Sequence, residues 1–245
     1  MESINQQFKS IEEFNVVSDL FSQAITGELI GMSNFASLSG TIDDPHEKME
    51  AVEHADSERQ HAEGFLVYAN KIGLNVKINL NGEYWGRVRE VFLKYAKKND
   101  FIACLIIQEV MLESFAVSMY TDVGHALKDD AGRLFLSIAD EEKEHMDHST
   151  EILREALEKN PQEFLKKFEE IHYDCMSILA QFSATTDLAG HCGVCNGDCM
   201  KNSLHHVDLE VSTMRGNALA LYAKALDSIG IPGEKSIQWI ANLPA

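Results

Sequence analysis

The chain has 245 residues, of which 45% are hydrophobic and 24% are charged, and its formal net charge is −18. This composition is that of a soluble globular protein with one sizeable core. The acidic balance argues against nucleic acid or an anionic membrane as a partner. No signal peptide and no apolar run of membrane-spanning length is recognised, so we expect a cytoplasmic protein without an integral membrane segment.

Apolar residues recur with helical spacing along most of the chain, and only four prolines interrupt it, which predicts an all-α protein. A turn at 41–45 ends the first helix, and residues 76–80 are interpreted as a loop rather than a strand. The third helix has a weak point at Asn99-Asp100, and an irregular segment covers residues 190–202. The predicted helices span residues 11–39, 46–72, 84–120, 131–158, 161–187, 204–230 and 234–242.

Two glutamates stand inside apolar helical stripes. Glu28 shares a helix face with Phe21, Ile25 and Met32, and Glu113 belongs to the run CLIIQEVMLESFAVSMY. Burying a lone carboxylate is costly, so a buried carboxylate is usually paired or bound to a metal. Both glutamates are therefore candidate metal ligands.

Two further helices carry the pattern Glu-x-x-His, as Glu58 with His61 and as Glu142 with His145. Residues three apart project from the same side of a helix. One Glu from each of two helices, together with Glu-x-x-His from two others, is the ligand set of di-iron and di-manganese four-helix bundles. Carboxylate and imidazole ligands suit iron or manganese, and the sequence thus predicts a site for two iron ions, with manganese as the alternative.

The spacing of these residues supports a symmetric site. Glu58 follows Glu28 by 30 residues, and Glu142 follows Glu113 by 29. This pattern indicates two helical hairpins, each of which supplies half of the ligands. A third pair, Glu169 with His172, lacks a matching glutamate upstream, and we interpret it as a surface feature, as we do His54 and His148.

Several stretches give the chain a family resemblance. It resembles the cyanobacterial aldehyde-deformylating oxygenases of the ferritin-like superfamily over about residues 15–240. The matching stretches are GELIGM around Glu28, ERQHAEGF at 58–65, CLIIQEVMLESFAVSMY at 104–120, DEEKEH at 140–145 and ALYAKALDSIGI at 220–231. The resemblance implies a ferritin-like four-helix bundle with additional C-terminal helices, in one domain over residues 1–245.

The resemblance also implies roles for individual residues. Glu58 and Glu142 would bridge two irons, Glu28 and Glu113 would be terminal ligands, and His61 and His145 would each bind one iron. Phe65 and Tyr120 match residues that line the substrate cavity of the family, and Glu141 takes the place of an aspartate beside the bridging glutamate. Members of the family use O2 and electrons from an external donor, often a ferredoxin. They cleave a fatty aldehyde to formate and a hydrocarbon one carbon shorter.

A cysteine-rich insertion at about 190–202 departs from the family pattern. It carries Cys192, Cys195 and Cys199, with His205 nearby. A structural zinc site, a redox thiol or iron–sulfur site, and a loop of free cysteines all remain open. Ala69 and Gln60 also stand where the family more often has a cysteine and an arginine, which leaves open an oxygenase that acts on a different substrate.

Three hypotheses follow for the function. The first is an O2-activating di-iron oxygenase, with deformylation of a fatty aldehyde as the specific reaction. The second is a di-iron oxidase or oxygenase acting on an amine or sulfur compound. The third is a ferritin-like protein that binds iron or removes peroxide. An oxygenase predicts a monomer or small oligomer with an apolar tunnel that leads to the metals, lined by residues such as Phe65, Phe115 and Tyr120.

Overall fold

The computed structural model describes residues 8–184, 193–195 and 199–244, and within these residues it contains helices and turns but no strand. A π-helical segment, Ile106–Leu112, joins α4 to α5, and single 3-10 turns occupy Ser39–Thr41, Met200–Asn202 and Leu204–Val207. The α-helices are α1 Ile11–Leu38, α2 Pro45–Ile72, α3 Glu83–Ala96, α4 Phe101–Leu105, α5 Glu113–Leu127, α6 Asp130–Lys159, α7 Pro161–Phe182, α8 Val211–Ile229 and α9 Gly233–Ala241. The predicted all-α class is confirmed.

Two helical hairpins form the bundle. Helix α1 packs against α2, and α5 packs against α6, while α2 also contacts α6. The remaining helices cover this bundle, with α3 on α1, α8 on α5 and α6, α7 on α3 and α6, and α9 on α8. The four bundle helices therefore enclose a common interior, which is the ferritin-like arrangement with additional helices that the sequence predicts.

The starts of the bundle helices are fixed by short polar side chains. The Ser10 hydroxyl accepts a hydrogen bond from the Glu13 amide, and the Asp44 carboxylate accepts from the first amides of α2, which begins with Pro45. Asp129 caps α6 in the same way. These side chains satisfy amide groups that have no partner inside the helix. At the other end of α2, Gly73 adopts a left-handed conformation with φ 73°, which stops the helix.

The predicted third helix, residues 84–120, is two helices in the structure. Helix α3 ends at Ala96, and Asn99 has φ 54°, a left-handed conformation that no α-helix contains. The Asp100 side chain then caps α4 and forms an ion pair of 2.9 Å with Lys167 on α7. The break falls at the weak point predicted from Asn99-Asp100, and α5 continues to Leu127, beyond the predicted end at residue 120.

The helical stretch Phe101–Leu127 is long and apolar enough to cross a membrane, contrary to the expectation from the sequence. However, 78% of its most apolar part is buried inside the protein. A run that is apolar on every side is typical of a helix that is surrounded by other helices. Its composition therefore reflects its place at the centre of the fold.

The C-terminal helix boundaries also differ from the prediction. Helix α7 ends at Phe182, five residues earlier than expected, although residues 185–187 lie outside the described part of the chain. Residues 204–207 form a 3-10 turn, and α8 begins only at Val211. Asp208, at φ 58°, separates the two elements.

Candidate metal centre

Six side chains from four helices meet in the interior of the bundle, and we call them the buried cluster. None of them is more than 6% exposed. Helix α1 contributes one residue, α2 two, α5 one and α6 two. The members are Glu28, Glu58, His61, Glu113, Glu142 and His145. The structure thus brings together all six residues that the sequence singles out.

The buried cluster consists of two overlapping groups of donor atoms. One group contains Glu28, Glu58, His61 and Glu142, and the other contains Glu58, Glu113, Glu142 and His145. Within each group the donor atoms lie within 4.8 Å of one another. Glu58 and Glu142 belong to both groups, so two ions, one in each group, could share these two carboxylates.

The His61 ring is oriented by carboxylates on both sides. Its Nδ1 lies 2.8 Å from Glu142 Oε1 and 3.3 Å from Glu28 Oε2, inside the buried cluster. Its Nε2 lies 3.1 Å from Oε2 of Glu141, which is exposed to solvent. A histidine that ligates a metal usually donates its other ring N–H to a carboxylate or carbonyl. Nδ1 of His61 therefore faces the buried cluster as the candidate ligand atom, and Glu141 can fix the tautomer.

Glu113 is held by a chain of buried amides. Gln108 donates from Nε2 to Glu113 Oε1 over 2.9 Å, and its Oε1 accepts from Asn34 Nδ2 over 2.8 Å. Glu113 directly follows the π-helical segment, and its backbone N–H donates to the Gln108 carbonyl, five residues back rather than the four of an α-helix. Such segments are rare and occur frequently at functional sites. Here the altered register aims Gln108 at the carboxylate that it supports.

Several cluster atoms have no hydrogen-bond partner. His145 Nδ1 and Glu142 Oε2 lie 2.8 Å apart without hydrogen-bonding geometry, and neither has another partner. Oε2 of Glu28 is likewise unpartnered and buried. Buried polar atoms are almost always satisfied in proteins, so these atoms require an explanation. One cation in each donor group would satisfy these atoms, since Glu28 belongs to one group, His145 to the other and Glu142 to both, and the donor set of carboxylates and imidazoles fits iron.

The carboxylates destabilise each other in the absence of a cation. Burial, followed by the charges of Glu142 and its neighbours, raises the pKa of Glu58 and of Glu113 well above the usual range. Burial and the charge of Glu28 raise the pKa of Glu142 to about 7. Burial alone would lower the pKa of His61, but Glu142 and Glu28 outweigh it and raise that pKa to about 11. Divalent cations would relieve this repulsion, as in other buried sites where like charges are crowded.

Gly31, one turn after Glu28 on α1, leaves room for a bridging carboxylate. A Cβ atom at this position would lie 2.5 Å from Glu58 Oε1 and 2.8 Å from Glu58 Oε2. Real Cβ atoms do not approach other atoms so closely. The missing side chain therefore lets Glu58 reach across from α2 to the middle of the buried cluster.

Tyr120 connects the buried cluster to an apolar cavity. Its hydroxyl donates a short hydrogen bond to Glu28 Oε1, and its ring lines the cavity that extends from the carboxylates. Burial and the negative charge of Glu28 raise the pKa of Tyr120 well above its ordinary value, so the hydroxyl keeps its proton. Phe65 packs edge-on against the Tyr120 ring, with centroids 5.5 Å apart, and is not among the residues that line the cavity.

The third Glu-x-x-His pair has a different role from the one predicted. His172 is fully buried rather than on the surface. Its Nδ1 lies 2.9 Å from the Tyr222 hydroxyl, and its Nε2 lies 3.2 Å from the Trp239 carbonyl. Glu169 accepts a hydrogen bond from Trp239 Nε1. The pair therefore fixes α8 and α9 against α7 and takes no part in the buried cluster.

The cysteine-rich segment is described only in part. Cys192 lies outside the described residues, while Cys195 and Cys199 are half-buried and line a second cavity. His205 is exposed on a 3-10 turn. Among the described residues, no group of closely spaced metal donors includes these side chains. The zinc or redox role of this segment remains a prediction.

Sequence reasoning missed the residues that surround the ligands. Glu109 is 2% exposed, Gln108 and Asn34 are also buried, and His54 and His148 are partly covered rather than on the surface. Glu109 belongs to the same apolar run as Glu113, so the argument applied to one carboxylate could have identified the other. Nothing in the sequence pattern predicts Asn34 as a partner of Gln108, because the contact joins residues 74 positions apart.

Comparisons with known proteins show the family of this chain. A family model described as long-chain fatty aldehyde decarbonylase matches residues 14–184. That stretch contains the whole buried cluster and ends before the cysteine-rich segment. Among solved structures, the chain is similar to a protein with aldehyde deformylating oxidase activity from Synechococcus, with a TM-score of 0.77 and 17% identity over 95% of this chain and 97% of the other. At that identity the likeness shows a shared fold. The family match goes further: the chain belongs to the long-chain fatty aldehyde decarbonylase family and is an enzyme, a di-iron oxygenase.

Proposed function

We propose that this enzyme deformylates a long-chain fatty aldehyde to formate and a hydrocarbon one carbon shorter, at two iron ions held by the buried cluster. The observation that carries the proposal is the cavity beside the cluster. Carboxylates of four cluster residues line one end of it, and most of its remaining wall is apolar. Such a cavity suits a substrate with one polar end and a long apolar tail.

The two donor groups suggest how the ligands divide. Glu28 and His61 would complete the coordination of one ion, and Glu113 and His145 that of the other. Glu58 and Glu142, which are common to both groups, would bridge the pair. Iron is the metal expected in this family, while manganese would fit the same donors.

The cavity continues away from the metals as a second cavity. Residues that line both include Gln23, Phe115, Met119, Phe182 and Met200. Because these walls are shared, the two cavities are adjacent, and together they extend from the buried cluster towards Cys195 and Cys199. An aldehyde would place its carbonyl at the carboxylate end and its alkyl chain along this path. Of the residues expected to line a tunnel, Phe115 and Tyr120 do so.

The protein groups at the polar end bind and orient rather than react. Two iron ions bound there would reduce O2 with electrons supplied from outside the protein. Tyr120 keeps Glu28 in place through its hydrogen bond and closes the cavity wall beside it. The aromatic side chains of Phe115, Phe135 and Phe182 exclude water from the carbonyl. A dry site limits the loss of reactive oxygen species to solvent.

The proposed reaction consumes reducing equivalents. Cleaving R–CHO to R–H and HCOOH with O2 also forms water, and the atoms balance only when four electrons and four protons are added. We infer that an external donor such as a ferredoxin supplies these electrons. We place this protein in the cytoplasm, as a monomer or small oligomer that meets such a donor there.

The test is a product assay with isotopically labelled substrate. Protein loaded anaerobically with ferrous iron would receive O2, a ferredoxin reducing system and aldehydes of several chain lengths labelled with ¹³C at the carbonyl. We expect labelled formate and an unlabelled hydrocarbon that is one carbon shorter, in equal amounts. Absence of both products at every chain length, from protein that contains two irons, would exclude the aldehyde as substrate.

Matched variants show whether the buried cluster is responsible. Glu113→Ala and His145→Ala should each abolish two-metal binding and product formation while the protein stays helical. His125→Ala, at an exposed position on α5, should change neither. Unchanged metal content in the first two variants would show that the ligand set is misassigned.

The two other functions predict different observations. A protein that only stores iron or removes peroxide needs no apolar cavity beside the metals, so the cavity lined by Tyr120 and Phe115 favours an organic substrate. One observation favours an oxygenase with another substrate: the wall of the second cavity includes Cys195 and Cys199. In that case the same assay would show O2 consumption with amine or sulfur compounds and none with aldehydes.

A further inference from the structure

A second set of metal donors lies beside the buried cluster and shares no residue with it. It consists of His54 from α2, Glu109 from the π-helical segment and His148 from α6, and we call it the outer triad. Its donor atoms lie within 4.8 Å of one another. The His54 ring stacks on that of His145, with centroids 4.2 Å apart, so the outer triad adjoins the buried cluster.

The distances within the outer triad are too long for hydrogen bonds. His54 Nδ1 lies 3.7 Å from Glu109 Oε1, and His148 Nδ1 lies 3.9 Å from Glu109 Oε2. Two ligands bound about 2.1 Å from one ion, at angles between 90° and about 120°, are roughly 3.0–3.6 Å apart. Side-chain movements of a few tenths of an ångström would bring each histidine nitrogen to a ligand spacing from Glu109, and movements of about 1 Å would bring all three donors, which lie within 4.8 Å of one another, onto a common ion.

The outer triad is also unsatisfied without a ligand. His54 Nδ1, Glu109 Oε2 and His148 Nδ1 are each buried atoms with no hydrogen-bond partner. Glu109 is only 2% exposed, so its carboxylate is removed from water and points at two imidazoles that it does not hydrogen-bond. A buried charge in this position is costly unless a cation is close.

We propose that the outer triad binds a third divalent transition-metal ion, ferrous iron in the iron-loaded enzyme. Two imidazoles and one carboxylate with open positions form a ligand set that is typical of non-haem Fe(II) and of zinc. The site is nearer to solvent than the buried cluster, because the His148 side chain is 31% exposed. On the solvent side, a carboxylate oxygen of Glu47 lies 3.6 Å from His148 Nε2.

Glu109→Gln is the variant that tests the site, because the amide keeps the shape of the side chain and removes the anionic ligand. The matched control is Glu53→Gln, an exposed glutamate on α2. Each protein would be titrated anaerobically with Co²⁺, freed of excess ion by gel filtration and measured for metal per chain. We expect the wild type and the control to retain one more ion per chain than Glu109→Gln, which keeps the ions of the buried cluster. His54→Phe should lose the same single ion.

Crystals of the wild type grown with Co²⁺ locate the ion independently of the count. We expect an anomalous-scattering peak between His54, Glu109 and His148, in addition to the peaks in the buried cluster. Equal metal content in the wild type and Glu109→Gln, or no peak within the outer triad, would overturn the proposal, and His54 would then pair with Glu109 through a proton. Loss of every ion in Glu109→Gln would also overturn it, because Glu109 would then only support the buried pair. These outcomes do not depend on aldehyde turnover.

Discussion

Replacing Gly31 by alanine should raise the stability of the metal-free protein and at the same time weaken its binding of metal. In the interior of a helix, alanine is about 1 kcal/mol more favourable than glycine. The new Cβ would lie 2.5 Å from Glu58 Oε1, whereas ordinary contact begins at 3.4 Å, so the carboxylate must move by about 0.9 Å. The end of a glutamate side chain can make this movement without disturbing the backbone, so the fold should survive.

The displaced carboxylate should weaken both metal sites. Coordination distances tolerate deviations of only about 0.2 Å, and Glu58 belongs to both donor groups. Loss of a mere supporting residue costs about 10–100-fold in metal affinity. We therefore expect Gly31→Ala to lower affinity by at least about 100-fold, equivalent to about 2.7 kcal/mol. The metal-free variant should nevertheless melt about 2–4 °C higher than the wild type.

The assay pairs calorimetric titration with ferrous iron under anaerobic conditions and thermal unfolding of metal-free and loaded protein. Gly64→Ala on α2 is the control, because its Cβ would meet only Leu134 Cδ1 at 3.8 Å. That variant should gain the same stability in both states and bind metal normally. Wild-type affinity for both ions in Gly31→Ala would refute the reasoning, since Glu58 could not then occupy the position that the structure gives it.

Three other variants test the cavity, the support of a ligand and a buried histidine. Met119→Trp, in the wall common to both cavities, should reduce kcat/KM for the longest aldehydes by about 10–200-fold and spare short ones, as measured across a chain-length series. Gln108→Leu should lower metal affinity about 10–100-fold by releasing Glu113, which titration with ferrous iron would detect. Burial lowers the pKa of His172 from 6.5 to about 4. Between pH 6.5 and pH 4 its imidazole is therefore protonated in the unfolded chain and neutral in the folded protein. The free energy of unfolding should thus fall by about 3 kcal/mol as the pH drops from 6.5 to 4, and denaturant titrations of His172→Phe should lack this component.

The ligand set could be predicted because burial and helical spacing leave a mark in the sequence. Glu113 lies in a run too apolar to face water, and the pattern Glu-x-x-His places two donors on one face of a helix. The three-residue spacing alone does not identify metal ligands, since Glu169 and His172 have the same spacing and instead hydrogen-bond Trp239. The distinction depends on which helix faces which, and this is a property of the packing.

The π-helical segment and the outer triad could not be predicted from local patterns. An α-helical reading of residues 104–120 places Glu109 and Glu113 on one face, four residues apart. The longer register of the π-helical segment lets them serve different groups, Glu113 in the buried cluster and Glu109 beside His54. The break between α3 and α4 was indicated by Asn99-Asp100, but the ion pair of Asp100 with Lys167 on α7 joins residues far apart in the sequence and could not be predicted from the local pattern.

The division of ligands between the two hairpins has a mechanical consequence. Each donor group takes three residues from one hairpin and a single bridging carboxylate, Glu142 or Glu58, from the other. Neither hairpin can complete a donor group alone, so bound ions would cross-link the two hairpins of the bundle. If the chain is cut in the loop after Gly73, the two fragments should stay associated while the ions are bound. Their association should weaken once a chelator removes the ions.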